Sequence, residues 1–214
     1  MSLALDTWAY TLGHLDELRQ ATIDHLILVT IALAISITVC IPLGVWTSRS
    51  RGKANYVINS INGLRVIPSL AILFLVVPYM GVGLDTAVIA LTILAMPPIL
   101  VNTDAAFRTL DPAVKEAAAG MGMTKRQILG KVEFPLALPI ILTGVRTAST
   151  EVIASATLAA FIGSGGLGLF VQRGYAMYRP SILFVGAIPV ALLTLAAEIF
   201  LSSIQRAVQP PSTA

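Results

Sequence analysis

The sequence predicts an all-α, polytopic membrane protein with about five transmembrane helices, and three observations carry that prediction. Hydrophobic residues make up 56% of the 214 and charged residues 12%, at a mean hydropathy of +0.85. That leaves too little polar surface for a soluble domain of this length. Several apolar runs reach the roughly 20 residues that cross a bilayer as a helix. The positive charges sit in short connections between those runs. The net charge of +3 and pI near 9.2 therefore read as membrane orientation and not as nucleic-acid binding.

The spans follow in order. The first is His25 to Trp46, "HLILVTIALAISITVCIPLGVW"; the second is Ile61 to Met80, "INGLRVIPSLAILFLVVPYM". Leu84 to Val101 makes the third, Leu136 to Gly163 the fourth and Ile182 to Ile204 the fifth. Prolines 42, 68, 97, 98, 139 and 189 fall inside or at the ends of these runs, which membrane helices tolerate where neighbours satisfy the freed carbonyls. Asp6 is the first charged residue, so the basic start of a secretory signal is not seen.

Five spans put the termini on opposite sides. With the N-terminus outside, Arg49, Arg51, Lys53, Arg108, Lys115, Lys125, Arg126, Lys131 and Arg206 are cytoplasmic, and only Arg19, Arg173 and Arg179 are external. The positive-inside bias selects that orientation, N-terminus out and C-terminus in. Trp8 and Trp46 then fall at opposite membrane edges as interfacial anchors.

One stretch breaks the apolar pattern. "KEAAAGMGMTKRQILGKVEFP", Lys115 to Pro135, lies in the longest cytoplasmic connection, about residues 102–135 of a single transmembrane domain spanning 1–214. Asp111 reads as a helix N-cap with Pro112 at the first helical position. Gly120 and Gly122 interrupt that helix, Thr124 caps a second one, and Pro135 sets a break before the fourth span. The expectation is two short helices at an angle beneath the membrane.

This stretch resembles the cytoplasmic signature of ABC-importer permeases: Glu-Ala-Ala, three residues, Gly, nine residues, then Ile-x-Leu-Pro. Glu116-Ala117-Ala118 is followed by Gly122 at the required distance, and Val132-Glu133-Phe134-Pro135 fills the last block with Val for Ile and Phe for Leu. "RVIPSLAIL", "GMGMTKRQILGKVEFPLALPIILTGVRTA" and "ATLAAFIGSGGLG" are similar to permeases of osmoprotectant importers for glycine betaine, choline or carnitine. Permeases for methionine and other small solutes share that architecture.

The resemblance implies a type I ABC importer permease in a bacterial inner membrane. It implies that Glu116, Ala117, Ala118, Gly122 and Pro135 dock an ATPase subunit carrying ATP and Mg. A second permease, a copy or a paralogue, is needed because five helices are too few to enclose a solute path. Affinity is expected from a separate extracytoplasmic binding protein, since a chain only 7% aromatic offers little for a cage around quaternary ammonium.

Other classes find little support. Gly130-Lys131 is followed by Val132, without the earlier glycine of a phosphate loop, so the chain is expected not to hydrolyse ATP and to bind no cofactor. No metal-ligand spacing is visible; His14 and His25 read as interfacial, and Cys40 as a small buried residue. Gly163, Gly165, Gly166 and Gly168 in "GSGGLG" are expected to form a flexible external loop near the gate or the binding protein. A stand-alone channel or secondary transporter would show an inverted repeat or a relay of intramembrane charge. The candidates for such charge are Arg65, Arg146, Glu151 and Glu198.

Glu151 lies near the middle of the fourth span, where an ionised carboxylate costs several kcal/mol without water or a partner. Arg146 is five residues back, about 140° away around the helix at ~100° per residue, so an interhelical partner such as Arg65 fits better. Glu151 is then either neutralised within the fold or faces the solute pathway, with Arg146 and Arg65 as further pathway candidates.

Overall fold

A computed structural model describes residues 3–209. Ten α-helices follow in order: α1 (Leu3–Gly13), α2 (Leu15–Ser48), α3 (Arg51–Gly63), α4 (Ser69–Met80) and α5 (Leu84–Arg108). After these come α6 (Pro112–Gly120), α7 (Lys125–Ile128), α8 (Phe134–Ala156), α9 (Gly168–Ala176) and α10 (Pro180–Val208). Among the described residues no strand occurs. α2, α5, α8 with its lead-in from Lys125, and α10 are each long and apolar enough to cross a membrane.

The expected second span is different. Tyr56–Val66 and Ser69–Met80 are bent by 102° at a short break, so five spans are reached only if the bent pair counts as one. The cause is local. Pro68 disfavours helical backbone at Ile67, which is extended at ψ 123, and Pro68 itself becomes the N-cap of α4.

α5 is the hub. Half of its apolar window is buried, against 17% for α10, because α5 packs on α2, α4 and α8 while α10 shows much of its surface to the surroundings. Lipid tails are as apolar as leucine, so helices associate through close packing and polar links. Gly44 of α2 and Gly144 of α8 let the backbones approach α5. A Cβ on Gly44 would lie 2.6 Å from Thr103 Cβ, and one on Gly144 2.6 Å from the Pro98 carbonyl oxygen. Polar links supply the rest: Ser36 of α2 donates to the Thr92 carbonyl of α5 (3.0 Å), and Gln205 of α10 donates to the Pro139 carbonyl of α8 (3.0 Å).

Several boundaries move. α5 continues to Arg108, past the apolar run, because its polar end is satisfied locally: Thr103 donates to the Ile99 carbonyl and Arg108 pairs with Asp104 at 2.6 Å. The connection expected over 102–135 is therefore shorter. Pro135 makes no break. It sits in the first turn of α8, where a missing N–H is harmless, and one π-helical turn, Leu129–Glu133, joins α7 to α8. At its other end α8 stops at Ala156, before the expected Gly163; a 3-10 turn, Leu158–Ile162, follows. α1 and α9 were not expected: at 11 and 9 residues both are too short to span.

Candidate functional site

The sequence features with chemistry gather in three places. The first is a corner at one end of the bundle, where α2 ends and α8 begins. There α6 starts as its residues dictate: the Asp111 side chain accepts from the Ala113 N–H at 2.8 Å, with Pro112 in the first turn. It stops in a Schellman turn, with Gly122 N–H donating to the Ala119 carbonyl (3.0 Å) and Met123 N–H to the Ala118 carbonyl (3.2 Å). Gly122 sits at φ +79, a left-handed conformation that glycine alone adopts cheaply. Thr124 and Gln127 then form a capping box that starts α7. The spacing from Ala118 to Gly122 is thus the geometry of a helix stop, and the capping box fixes where the next helix starts.

Glu116, Ala117, Gly122 and Pro135 are exposed on this corner, as is Met121 at 75%; of the five expected docking residues Ala118 alone is buried, at 2%. Beneath it lies Glu133, a carboxylate 7% exposed. Its Oε2 pairs with Arg49 just past α2 (2.7 Å) and its Oε1 with Lys115 of α6 (3.3 Å). One side chain therefore ties the end of α2, α6 and the start of α8. A charge-assisted bond of this kind contributes about 1.5–3 kcal/mol, lowered here because Arg49 and Lys115 remain partly in water. Nearby, Arg108 donates to the Thr47 carbonyl (2.9 Å), tying α5 to the same end of α2.

Sequence reasoning missed Glu133. It fills the variable position of the last motif block, so the motif gives it no weight. The signal that would find it is an acid directly at the start of the fourth span, next to Lys131 and behind Lys125 and Arg126. The side chains of Arg51 and Lys53, counted with this basic group, lie outside the described residues.

The second place is a recess of about 430 Å³ between the bend at Pro68 and the last turns of α8; because α8 stops at Ala156, Glu151 stands near its end and not at mid-span. Glu151 and Arg65 both line it, with Ser69, Leu94 and Ser155 among the other walls. Arg146 does not reach it. That guanidinium pairs with Glu198 of α10 (3.3 Å) and donates to Gln205 (3.2 Å), so it fastens α8 to α10.

The third place is the opposite end, where Arg173 of α9 pairs with Glu17 of α2 at 2.6 Å. The loop from Gly163 to Gly168 lies here, exposed at Gly163 and packed from Gly166 onward. Gly166 and Gly168 are buried, and Gly168 lies so close to the Thr157 carbonyl that a side chain has no room. Gly166 rests on His25, which is fully buried and bonds the Ile153 carbonyl at 3.2 Å. His25 is thus a packed residue and not an interfacial one. His14 stacks on Tyr10, with centroids 4.0 Å apart. Cys40 is buried, as expected.

Residues 40–210 match the family model described as "Binding-protein-dependent transport system inner membrane component". The chain belongs to this family. The permease is 41% identical to the carnitine transport permease protein OpuCB of Listeria monocytogenes over 97% of its own length and 94% of that protein's. It is 39% identical to the glycine betaine/carnitine/choline transport system permease protein OpuCB of Bacillus subtilis, over 91% and 89%. Its fold is that of a type I ABC importer permease. A chain of the MetNI methionine ABC transporter in an inward-facing conformation matches at a TM-score of 0.82 and 23% identity, over 92% of the permease and 99% of that chain.

The Schellman turn yields a direct test. A Cβ at Gly122 meets open space, so only the backbone resists substitution. A left-handed L-residue costs about 1–2 kcal/mol. Gly122→Leu should therefore speed hydrogen exchange at the Met123 amide about tenfold, whereas Gly122→Asn, which tolerates this conformation, should leave it nearly unchanged. Equal exchange in both variants would rule out this turn as the hinge of the pair.

Proposed function

We propose that this chain is the permease subunit of an ATP-driven ABC importer and forms the translocation pathway for an osmoprotectant such as glycine betaine, choline or carnitine. The observation that carries this reading is the end-to-end match to permeases bearing those solute names. The pathway is built with a second copy of the chain or a related permease, in a bacterial inner membrane. An extracytoplasmic binding protein delivers the solute. ATP and Mg act on the partner ATPase. A methionine-type solute rests on the fold likeness alone and is the weaker alternative.

In this reading the exposed corner, with Glu116, Ala117, Gly122 and Pro135 on its surface and Ala118 beneath, docks the ATPase on the cytoplasmic side. The basic residues Arg49, Arg108 and Lys115 meet at that end, which supports a cytoplasmic corner with the N-terminus outside. The loop at Gly163–Gly168 and α9 then face outward, toward the binding protein.

A cysteine tests both claims. In a background lacking Cys40, Met121→Cys in the permease alone should react with an impermeant thiol reagent only from the cytoplasm. Adding the ATPase should protect it at least several-fold. Labelling from outside would overturn the orientation; undiminished labelling in the intact complex would overturn the docking.

The recess lies on the solute route in this reading, and Glu151 attracts a cationic group there weakly enough to release it. Uptake is measured with the reconstituted complex in proteoliposomes. Glu151→Gln should leave assembly and solute-stimulated ATP hydrolysis intact. It should reduce uptake of choline, a cation, more than that of zwitterionic glycine betaine. Equal effects on the two solutes, or failed assembly, would place Glu151 among structural residues instead.

A further inference from the structure

The recess holds two opposite charges that do not meet. Glu151 enters it from α8 and Arg65 from the 3-10 turn at the bend, Leu64–Val66. Five ion pairs join described residues at 4.0 Å or less, and none joins Arg65 to Glu151. Arg146, the other cation near Glu151 in sequence, is engaged by Glu198 and Gln205. Leu64, Ile67, Leu94 and Ala154 supply apolar wall to the same recess. Arg65 is exposed and Glu151 half-buried, so both charges can be reached from the recess.

Were Arg65 present only to neutralise Glu151, direct contact would serve best, because a bridged pair satisfies both groups. Two unjoined charges facing one cavity instead suit a molecule that carries a cation and an anion of its own. We infer that the recess is a zwitterion site: Arg65 takes a solute carboxylate while Glu151 faces its quaternary ammonium. A quaternary ammonium has no N–H to donate, so it is held by charge and by contact of its methyl groups with the apolar wall. A carboxylate can take two parallel N–H bonds from one guanidinium. Net charge is balanced in the empty recess and stays balanced when a zwitterion enters. Choline offers the cation alone and leaves Arg65 unanswered. The substrate class this site prefers is thus a small quaternary-ammonium carboxylate, such as glycine betaine or carnitine, over an alcohol cation. The inference rests on the proposal that the recess lies on the solute route.

The two claims separate experimentally. The quantity read is the ratio of glycine betaine to choline uptake by the complex in proteoliposomes, relative to the unmodified permease. Loss of a charge-assisted bond to the carboxylate corresponds to about tenfold or more. Arg65→Gln should lower the ratio about tenfold, the opposite direction to Glu151→Gln, which raises it. Arg65→Lys keeps the charge and should hold the ratio nearest to that of the unmodified complex. Ser69→Asp leaves Arg65 in place, adds an anion to the same wall and should also lower the ratio; it serves if Arg65→Gln fails to assemble. A ratio unmoved by both Arg65→Gln and Ser69→Asp, while Glu151→Gln still shifts it, would overturn the zwitterion site and leave the pathway standing. A ratio unmoved by all three would overturn both.

Discussion

A carboxylate that is 93% removed from solvent-exposed surface needs cations, and the need of Glu133 organises the corner on which this permease depends. Arg49 answers it from the end of α2 and Lys115 from α6, while Glu133 itself stands one residue before α8. Three elements far apart in sequence are thus fixed by one group. Breaking a buried ion pair strands an uncompensated charge and is costly, which makes such a joint stiff. Stiffness is what the proposed coupling role requires: a displacement of the α6–α7 pair would pass to α2 and α8 together.

The rest of the bundle follows from its apolar surroundings. α5 is the most buried span, and Gly44 and Gly144 let its neighbours approach at backbone distance. On the other side of α8 the contact with α10 is polar, through Arg146, Glu198 and Gln205. One contact is dense and the other hydrogen-bonded, and the recess with Glu151 opens on a separate sector of α8, toward the bend at Pro68. Charges inside the membrane region therefore divide by role: Arg146 holds helices together, and Arg65 and Glu151 remain free to face a cavity.

The features legible in the sequence were those set by local chemistry. Asp111 and Thr124 act as the caps that their positions announce, because capping depends on a few neighbouring residues. The long spans were visible in their apolar runs. What stayed hidden depended on tertiary contact or on backbone path. Pro68 reads equally well as a tolerated kink or as a break, and the sequence does not say that the backbone takes the second course, extended at Ile67 and bent by 102°. Pro135 reads as a breaker until the preceding π turn is seen to place it in the first turn of α8. The glycines from Gly163 to Gly168 suggest mobility by composition, yet Gly166 and Gly168 are small so that the chain can lie against His25 and Thr157. Arg146 and Arg65 both read in the sequence as candidate partners of Glu151; the structure sends Arg146 to Glu198 and Gln205 and leaves Arg65 in the recess with Glu151.

The central claim is that the joint at Glu133 carries motion from the corner proposed to dock the ATPase into the membrane helices. Its most direct measurement is the number of solute molecules taken up per ATP hydrolysed by the reconstituted complex with Glu133→Gln. That substitution keeps the shape and removes the charge that holds Arg49 and Lys115. The account predicts an assembled complex that still hydrolyses ATP but whose uptake per ATP falls about tenfold, the scale of one lost charge-assisted bond. An assembled Glu133→Gln complex with an unchanged ratio of uptake to hydrolysis would contradict it.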